Sequence, residues 1–168
     1  DQIGDQTGRL VLITGANSGL GLETAKALSA HGADVILACR GREKAEAAMG
    51  EIRSAGGTGA LYFEALDLSD LASVAACAAR VVAKYPRLDV LVNNAGVMVP
   101  PRSKTKDGFE MQLGTNHFGH FALTAGLFPL LAKTPGARVV TVSSIMHRLG
   151  KMRFDDLGFE RFYIGWLA

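Results

Sequence analysis

Five short apolar runs alternate with helical stripes, and this alternation constrains the fold of the chain more than any other feature. LVLI (10–13) leads into a glycine-rich turn and a helical pattern through Ala30. VILA (35–38) precedes Ala45, Ala48, Met49 and Ile52 at helical spacing. LYFEAL (61–66) precedes a stripe of Leu71, Val74, Ala75, Ala78, Val81 and Val82. VLV (90–92) and VVTV (139–142) bracket a segment from Phe109 to Leu131 that reads as one long helix, which Pro129 should end or kink. Runs that are apolar at every position suit strands buried on both faces, and strand–helix alternation places such strands in a parallel sheet. The expectation is an α/β doubly wound parallel sheet in a single domain, residues 1–168, cut short after about five strands because the pattern dissolves beyond Ser144.

A chain of 168 residues is long enough to bury roughly 68–70% of its unfolded surface. The net charge of +2 is small and the basic residues are dispersed, which argues against nucleic acid or an anionic membrane as a partner. Cys39 and Cys77 are too few for a disulfide framework and lie in apolar surroundings, so they read as buried thiols of a reducing compartment. No stretch approaches the ~18 apolar residues of a membrane span, and a cytoplasmic protein is expected. The polar segment 99–108 is expected to be the most mobile element before Ser144. Glycines 114, 119 and 126 would each cost the long helix about 1 kcal/mol relative to alanine. Two readings stand for them: a close helix contact, within the protein or across a homo-oligomer, or simple fit against the sheet.

TGANSGLG (14–21) follows the first strand and opens the first helix. Glycines there permit a sharp turn and leave room for a pyrophosphate, while the helix N-terminus offers unpaired N–H groups and a positive dipole end. Gly15, Gly19 and Gly21 give G-x-x-x-G-x-G, and no G-K-[ST] follows, which disfavours a nucleotide-hydrolysing loop. At the end of the second strand, sites for NAD place a carboxylate against the ribose hydroxyls. This chain has Arg40 there, and Asp34 lies at the wrong end of the strand. A guanidinium suits a 2′-phosphate, so NADP(H) is the expected cofactor. His117 and His120, three apart on a helix, lack a third ligand at matching spacing and read as packed or surface histidines.

Four further stretches join the glycine loop in order: DL (67–68), NNAG (93–96), NHFG (116–119) and VSS (142–144). Together they resemble the short-chain dehydrogenase/reductase family, of Rossmann-type fold, across residues 9–144. MHRLGKMRFDDL (146–157) resembles its retinol-dehydrogenase-like branch. The resemblance implies that Thr14, Gly15, Asn17, Ser18, Gly19, Leu20 and Gly21 form the pyrophosphate cradle, with Arg40 at the 2′-phosphate. It implies Asp67 and Leu68 beside the adenine, and Asn93, Ala95 and Gly96 along the adenosine ribose, Asn93 also tying strands together. Ser144 would hydrogen-bond the carbonyl oxygen of a small-molecule alcohol or carbonyl substrate, and Asn116 would hold a water in the proton relay. Taken singly, Asn93 and Asn94 could be turn residues, and Ser143 and Ser144 caps.

Hydride transfer to a carbonyl needs an acid for the new alkoxide, and in this family a tyrosine with a lysine four residues later supplies it. An unperturbed phenol, with pKa about 10, is ionised in only about one molecule in a thousand at pH 7, so the lysine's charge is needed to bring it into range. Tyr62 is followed at that spacing by Leu66, Tyr85 by Asp89 and Tyr163 by Leu167. By the resemblance the tyrosine falls at or just after position 169, so the chain reads as the N-terminal part of a longer enzyme, with an exposed sheet edge and a tendency to associate. Tyr163, Phe162, Trp166 and Leu167 then read as an apolar lead-in to the substrate pocket. Two alternatives remain: a non-catalytic, redox-sensing dinucleotide-binding protein, which has no need of Ser144 or Asn116, and a Rossmann-like methyltransferase, which Arg40 disfavours.

Overall fold

Each apolar run becomes a strand of one parallel sheet in the computed structural model, which describes residues 2–148, 150, 152–161 and 163. The strands are Leu10–Thr14 (β1), Asp34–Cys39 (β2), Leu61–Ala65 (β3), Val90–Asn93 (β4) and Arg138–Thr141 (β5), in the order β3-β2-β1-β4-β5. The intervening helices are Gly19–Ala30 (α1), Arg42–Ser54 (α2), Leu71–Lys84 (α3) and Gly119–Lys133 (α4). This is the expected Rossmann-type sheet of five strands.

Alternate residues of β1 separate two cores. Leu10 and Leu12 join Leu91, Leu123 and Leu127 on the α3–α4 face, whereas Val11 and Ile13 join Leu22, Ala48 and Ile52 on the α1–α2 face. β1 pairs with β2 (Leu12 with Ile36) and with β4 (Leu12 with Leu91). Its start is pinned by the buried carboxylate of Asp89, which accepts from the Leu10 amide at 2.9 Å and pairs with Arg87. Chain direction away from β1 reverses between β2 and β4, so a crevice opens at the carboxyl ends of β1 and β4, where such sheets bind ligands.

The long helix departs from the expectation in three ways. Glu110 is outside it and accepts from the Gln112 and Leu113 amides at 2.9 and 2.7 Å, and helical geometry begins at Met111. Residues Leu113–Phe118 then form a π-helical turn, closed by the Gly119 amide on the Gly114 carbonyl. Pro129 does not end the helix, which continues to Lys133. The polar segment 99–108 is stitched down: the Lys106 amide donates to Ser69 O at 3.0 Å, the Lys106 ammonium pairs with Asp70 at 2.7 Å, and Asp107 accepts from the Leu71 amide at 2.9 Å.

The helix glycines serve internal packing. A Cβ on Gly114 would strike Thr105, one on Gly119 would strike the Leu68 carbonyl, and one on Gly126 would lie 2.7 Å from the Ala78 methyl of α3. β5 forms the last strand of the sheet, with Val139 and Val140 45% and 48% exposed. No described helix is long and apolar enough to cross a membrane.

Gly119→Ala should therefore destabilise the chain by about 1–3 kcal/mol through overpacking, despite the better helix propensity of alanine. Urea unfolding checks this, and a stabilised variant would refute the contact.

Candidate functional site

The hydroxyl of Thr14, the last residue of β1, organises the crevice. Its oxygen accepts from the Asn94 and Ala95 amides, both at 2.9 Å, and lies 2.9 Å from His120 Nε2. The Asn94 carboxamide returns the contact by donating to the Thr14 carbonyl at 2.9 Å. The loop after β4 is thereby bound to the end of β1. His120 Nδ1 lies 2.9 Å from the Asn116 carbonyl, which can only accept, so Nδ1 carries the hydrogen and Nε2 accepts from Thr14. The ring is 5% exposed. Burial, with a smaller push from His117, holds its pKa below the ordinary 6.5, which favours the neutral form this bonding requires.

A cleft of about 420 Å³ opens above this junction. Gly15, Asn17, Ser18, Leu20, Arg40, Asp67, Leu68, Ala95 and Gly96 line it. Gly15 has φ +67°, and a Cβ on Gly21 would lie 2.5 Å from the Asn94 carboxamide and 2.6 Å from the Gly15 carbonyl. The turn and the helix–loop contact thus both require glycine. Ser18 caps α1 without a side-chain hydrogen bond and the first turn holds no acid, so the first amides of α1 remain available to an anion. Leu20 is 73% exposed there. Arg40 closes one end of the cleft, just past β2, while Asp34 at the other end of that strand accepts from the Ala60 amide at 2.8 Å. Asp67 Oδ1 holds Ser69 through its amide at 2.9 Å and its hydroxyl at 2.7 Å.

The remaining expected residues lie behind or beside the cleft. Thr14, Gly19 and Gly21 flank the lining residues in sequence but do not themselves line the cleft. Asn93 is buried and donates to the hydroxyls of Thr124 on α4 and Thr141 on β5, at 3.0 and 3.4 Å, which gives it the tying role. Asn116 grips the Val97 backbone, accepting from its amide at 2.8 Å and donating to its carbonyl at 2.9 Å. Ser144 follows β5 at the same carboxyl edge, where its hydroxyl accepts from the Met146 amide at 3.2 Å, the capping contact, and its carbonyl meets the His147 ring.

Residues 9–154 match the short chain dehydrogenase family model. The chain belongs to this family. It is 48% identical to human retinol dehydrogenase 11 over 96% of its own length and 51% of that protein, and 49% identical to mouse retinol dehydrogenase 14 over 93% and 50%. It thus spans about half the length of these relatives. An uncharacterised protein from Mycobacterium paratuberculosis superposes with a TM-score of 0.84 at 45% identity, covering 99% of this chain and 58% of that one. A short chain dehydrogenase from Shigella flexneri complexed with NADP gives 0.74 at 30% identity, covering 93% and 67%.

Within this short-chain dehydrogenase chain, Tyr163 is poorly placed for acid–base work. Its hydroxyl donates to the Pro100 carbonyl at 2.8 Å, and burial together with the charge of Glu110 pushes its pKa up, the opposite of what a neighbouring lysine does. Phe162, Trp166 and Leu167 lie outside the described residues. Both cysteines are buried, and burial raises both thiols, Cys77 to about 11, which leaves them inert at neutral pH.

Sequence reasoning missed Asn94, Met111 and Thr115. The last two line the cleft, Thr115 from the π-helical turn and Met111 from the helical residues just before it, with the Thr115 hydroxyl 3.5 Å from the Met111 sulfur. The repeat Met111, Thr115, Gly119 marks the helix face that meets Leu68, and it is the one signal that could have found them.

Because His120 is neutral in the folded chain with a pKa below 6.5, the unfolded chain takes the proton first as pH falls. The stability contribution of this buried ring is complete above the unfolded value and is lost as pH drops from there through the folded value. Urea midpoints at pH 7.5 and 5.5 should show a decline in the wild type that is smaller in His120→Gln; equal declines would contradict the assignment.

Proposed function

We propose that this chain is the cofactor-binding part of an NADP(H)-dependent oxidoreductase that interconverts a small-molecule alcohol and a carbonyl. The observation carrying the reading is one cleft with an uncapped helix N-terminus on one side and Arg40 at the end of β2 on the other. A pyrophosphate suits the α1 amides and the turn at Gly15, Asn17, Ser18 and Leu20. A 2′-phosphate suits Arg40, whose planar guanidinium can donate two parallel hydrogen bonds. Asp67 and Leu68 flank the adenine, and Ala95 and Gly96 the ribose attached to it. The NADP in the Shigella flexneri relative supports the choice of cofactor.

A nicotinamide held in this cleft would supply the hydride for carbonyl reduction or accept it in alcohol oxidation. Ser144, at the carboxyl edge of β5, would donate its hydroxyl hydrogen to the substrate oxygen, and the Asn116 carbonyl, which already accepts from His120 Nδ1, would offer its second lone pair to a relay water. Substrate chemistry follows the retinol dehydrogenase relatives only to the level of an alcohol–carbonyl pair. No tyrosine here carries a lysine four residues on, so residues 1–168 alone bind the cofactor without turnover.

Arg40→Glu tests the cofactor choice. The variant should bind NADPH roughly 10- to 100-fold more weakly, the scale of a lost charge-assisted contact, with NADH affinity unchanged or improved. An unchanged preference overturns the role of Arg40, and NADPH-dependent carbonyl reduction by the 168-residue chain overturns the absence of turnover.

A further inference from the structure

His120 does not itself line the cleft, yet it sits where both supports of the loop after β4 meet. The Thr14 hydroxyl has one hydrogen and two lone pairs. The Asn94 and Ala95 amides, each at 2.9 Å, occupy the lone pairs. The hydrogen then has two acceptors within reach, the Val92 carbonyl at 3.4 Å and His120 Nε2 at 2.9 Å, and the nearer one is the ring nitrogen. On its other side the ring holds the Asn116 carbonyl, and the Asn116 carboxamide grips Val97 through two hydrogen bonds. One imidazole therefore braces the segment 94–97 twice, through β1 at Asn94 and Ala95 and through the π-helical turn at Val97. All four residues of that segment line the cleft.

We propose that His120 is a positioning residue for cofactor binding: its neutral ring, protonated at Nδ1, fixes the Thr14 hydroxyl and the Asn116 carbonyl and so holds the 94–97 wall of the cleft in its binding geometry. The inference rests on the cleft being the dinucleotide site. Only one of the three ring states satisfies both partners. The other neutral tautomer places a lone pair against the Asn116 carbonyl and an N–H against an oxygen whose lone pairs are already taken. The protonated ring repeats the second fault. Thr14 on β1 and the Asn116 carbonyl, the two partners of the ring, are uncharged, and His117, three residues before it, is the titratable neighbour that acts on it.

The test uses the 168-residue chain with NADPH as the probe, in the wild type, His120→Leu and His120→Gln, since a glutamine carbonyl can still accept from Thr14. Fluorescence titration should show affinity about tenfold weaker in the leucine variant and largely restored in the glutamine variant. Nitrogen-15 spectra of the wild-type ring should show the neutral Nδ1–H tautomer at pH 7.5. Unchanged affinity in His120→Leu, equal losses in both variants, or the Nε2–H tautomer would overturn the proposal. If His120→Leu does not fold, the tautomer decides. If the wild type binds neither NADPH nor NADH, the dinucleotide reading fails, and the positioning claim is then judged by the tautomer and by amide exchange at Asn94 and Ala95, which should be faster in the leucine variant than in the glutamine variant.

Discussion

A single hydroxyl, that of Thr14, joins the parts of this molecule that must agree for a cleft to exist. β1 is the central strand, and its last residue reaches across the crevice to the chain leaving β4. A parallel sheet exposes its strand ends at this point, with backbone amides that no neighbouring strand pairs. Amides shielded from water and left without partners are costly, and Thr14 satisfies two half-buried ones at once. Asn94 and Ala95 are thereby fixed to the sheet itself, while Val97 is held from the other side by Asn116.

The rest of the site follows from that anchor. The turn at Gly15 leaves β1 directly after Thr14 and delivers the α1 N-terminus to the cleft, and Gly21 lets α1 pass close to Asn94. On the opposite side, α4 must approach Leu68 closely, which the absence of a side chain at Gly119 allows. The π-helical turn just before it directs Thr115 at the cleft and leaves Asn116 and His120 bracing the loop. Binding surface and core packing are therefore the same contacts viewed from two sides, and a one-atom change at Gly119 is felt in both.

Much of this was legible in the residues. β1, β2 and β4 could be read because a strand buried along its length has to be apolar throughout, β3 and the exposed β5 because their runs keep the same alternation with helices, and the glycine-rich turn because glycine spacing reflects backbone necessity. Arg40, Asp67 and Gly96 reach the cleft because strand carboxyl ends converge in this topology. What stayed hidden depends on hydrogen-bond register or on distant partners. A π-helical turn keeps the apolar composition of an α-helix, so Leu113–Phe118 gave no sign of itself, and Met111 and Thr115 went unnoticed with it. His120 could be read as a packed histidine, which it is, but its partner Thr14 lies 106 residues away in sequence. The glycines of the long helix signalled a close approach without naming what approaches, which turned out to be the segment after β3, the 99–108 loop and α3.

If the Thr14 hydroxyl holds the cleft in binding form, its loss must show in cofactor affinity. NADPH affinity of Thr14→Ser and Thr14→Val tests it most directly, because serine keeps the hydroxyl and valine keeps the shape. The account predicts near wild-type binding for Thr14→Ser and at least about tenfold weaker binding for Thr14→Val, the scale of two lost backbone contacts. Equal affinity in the two variants would contradict it.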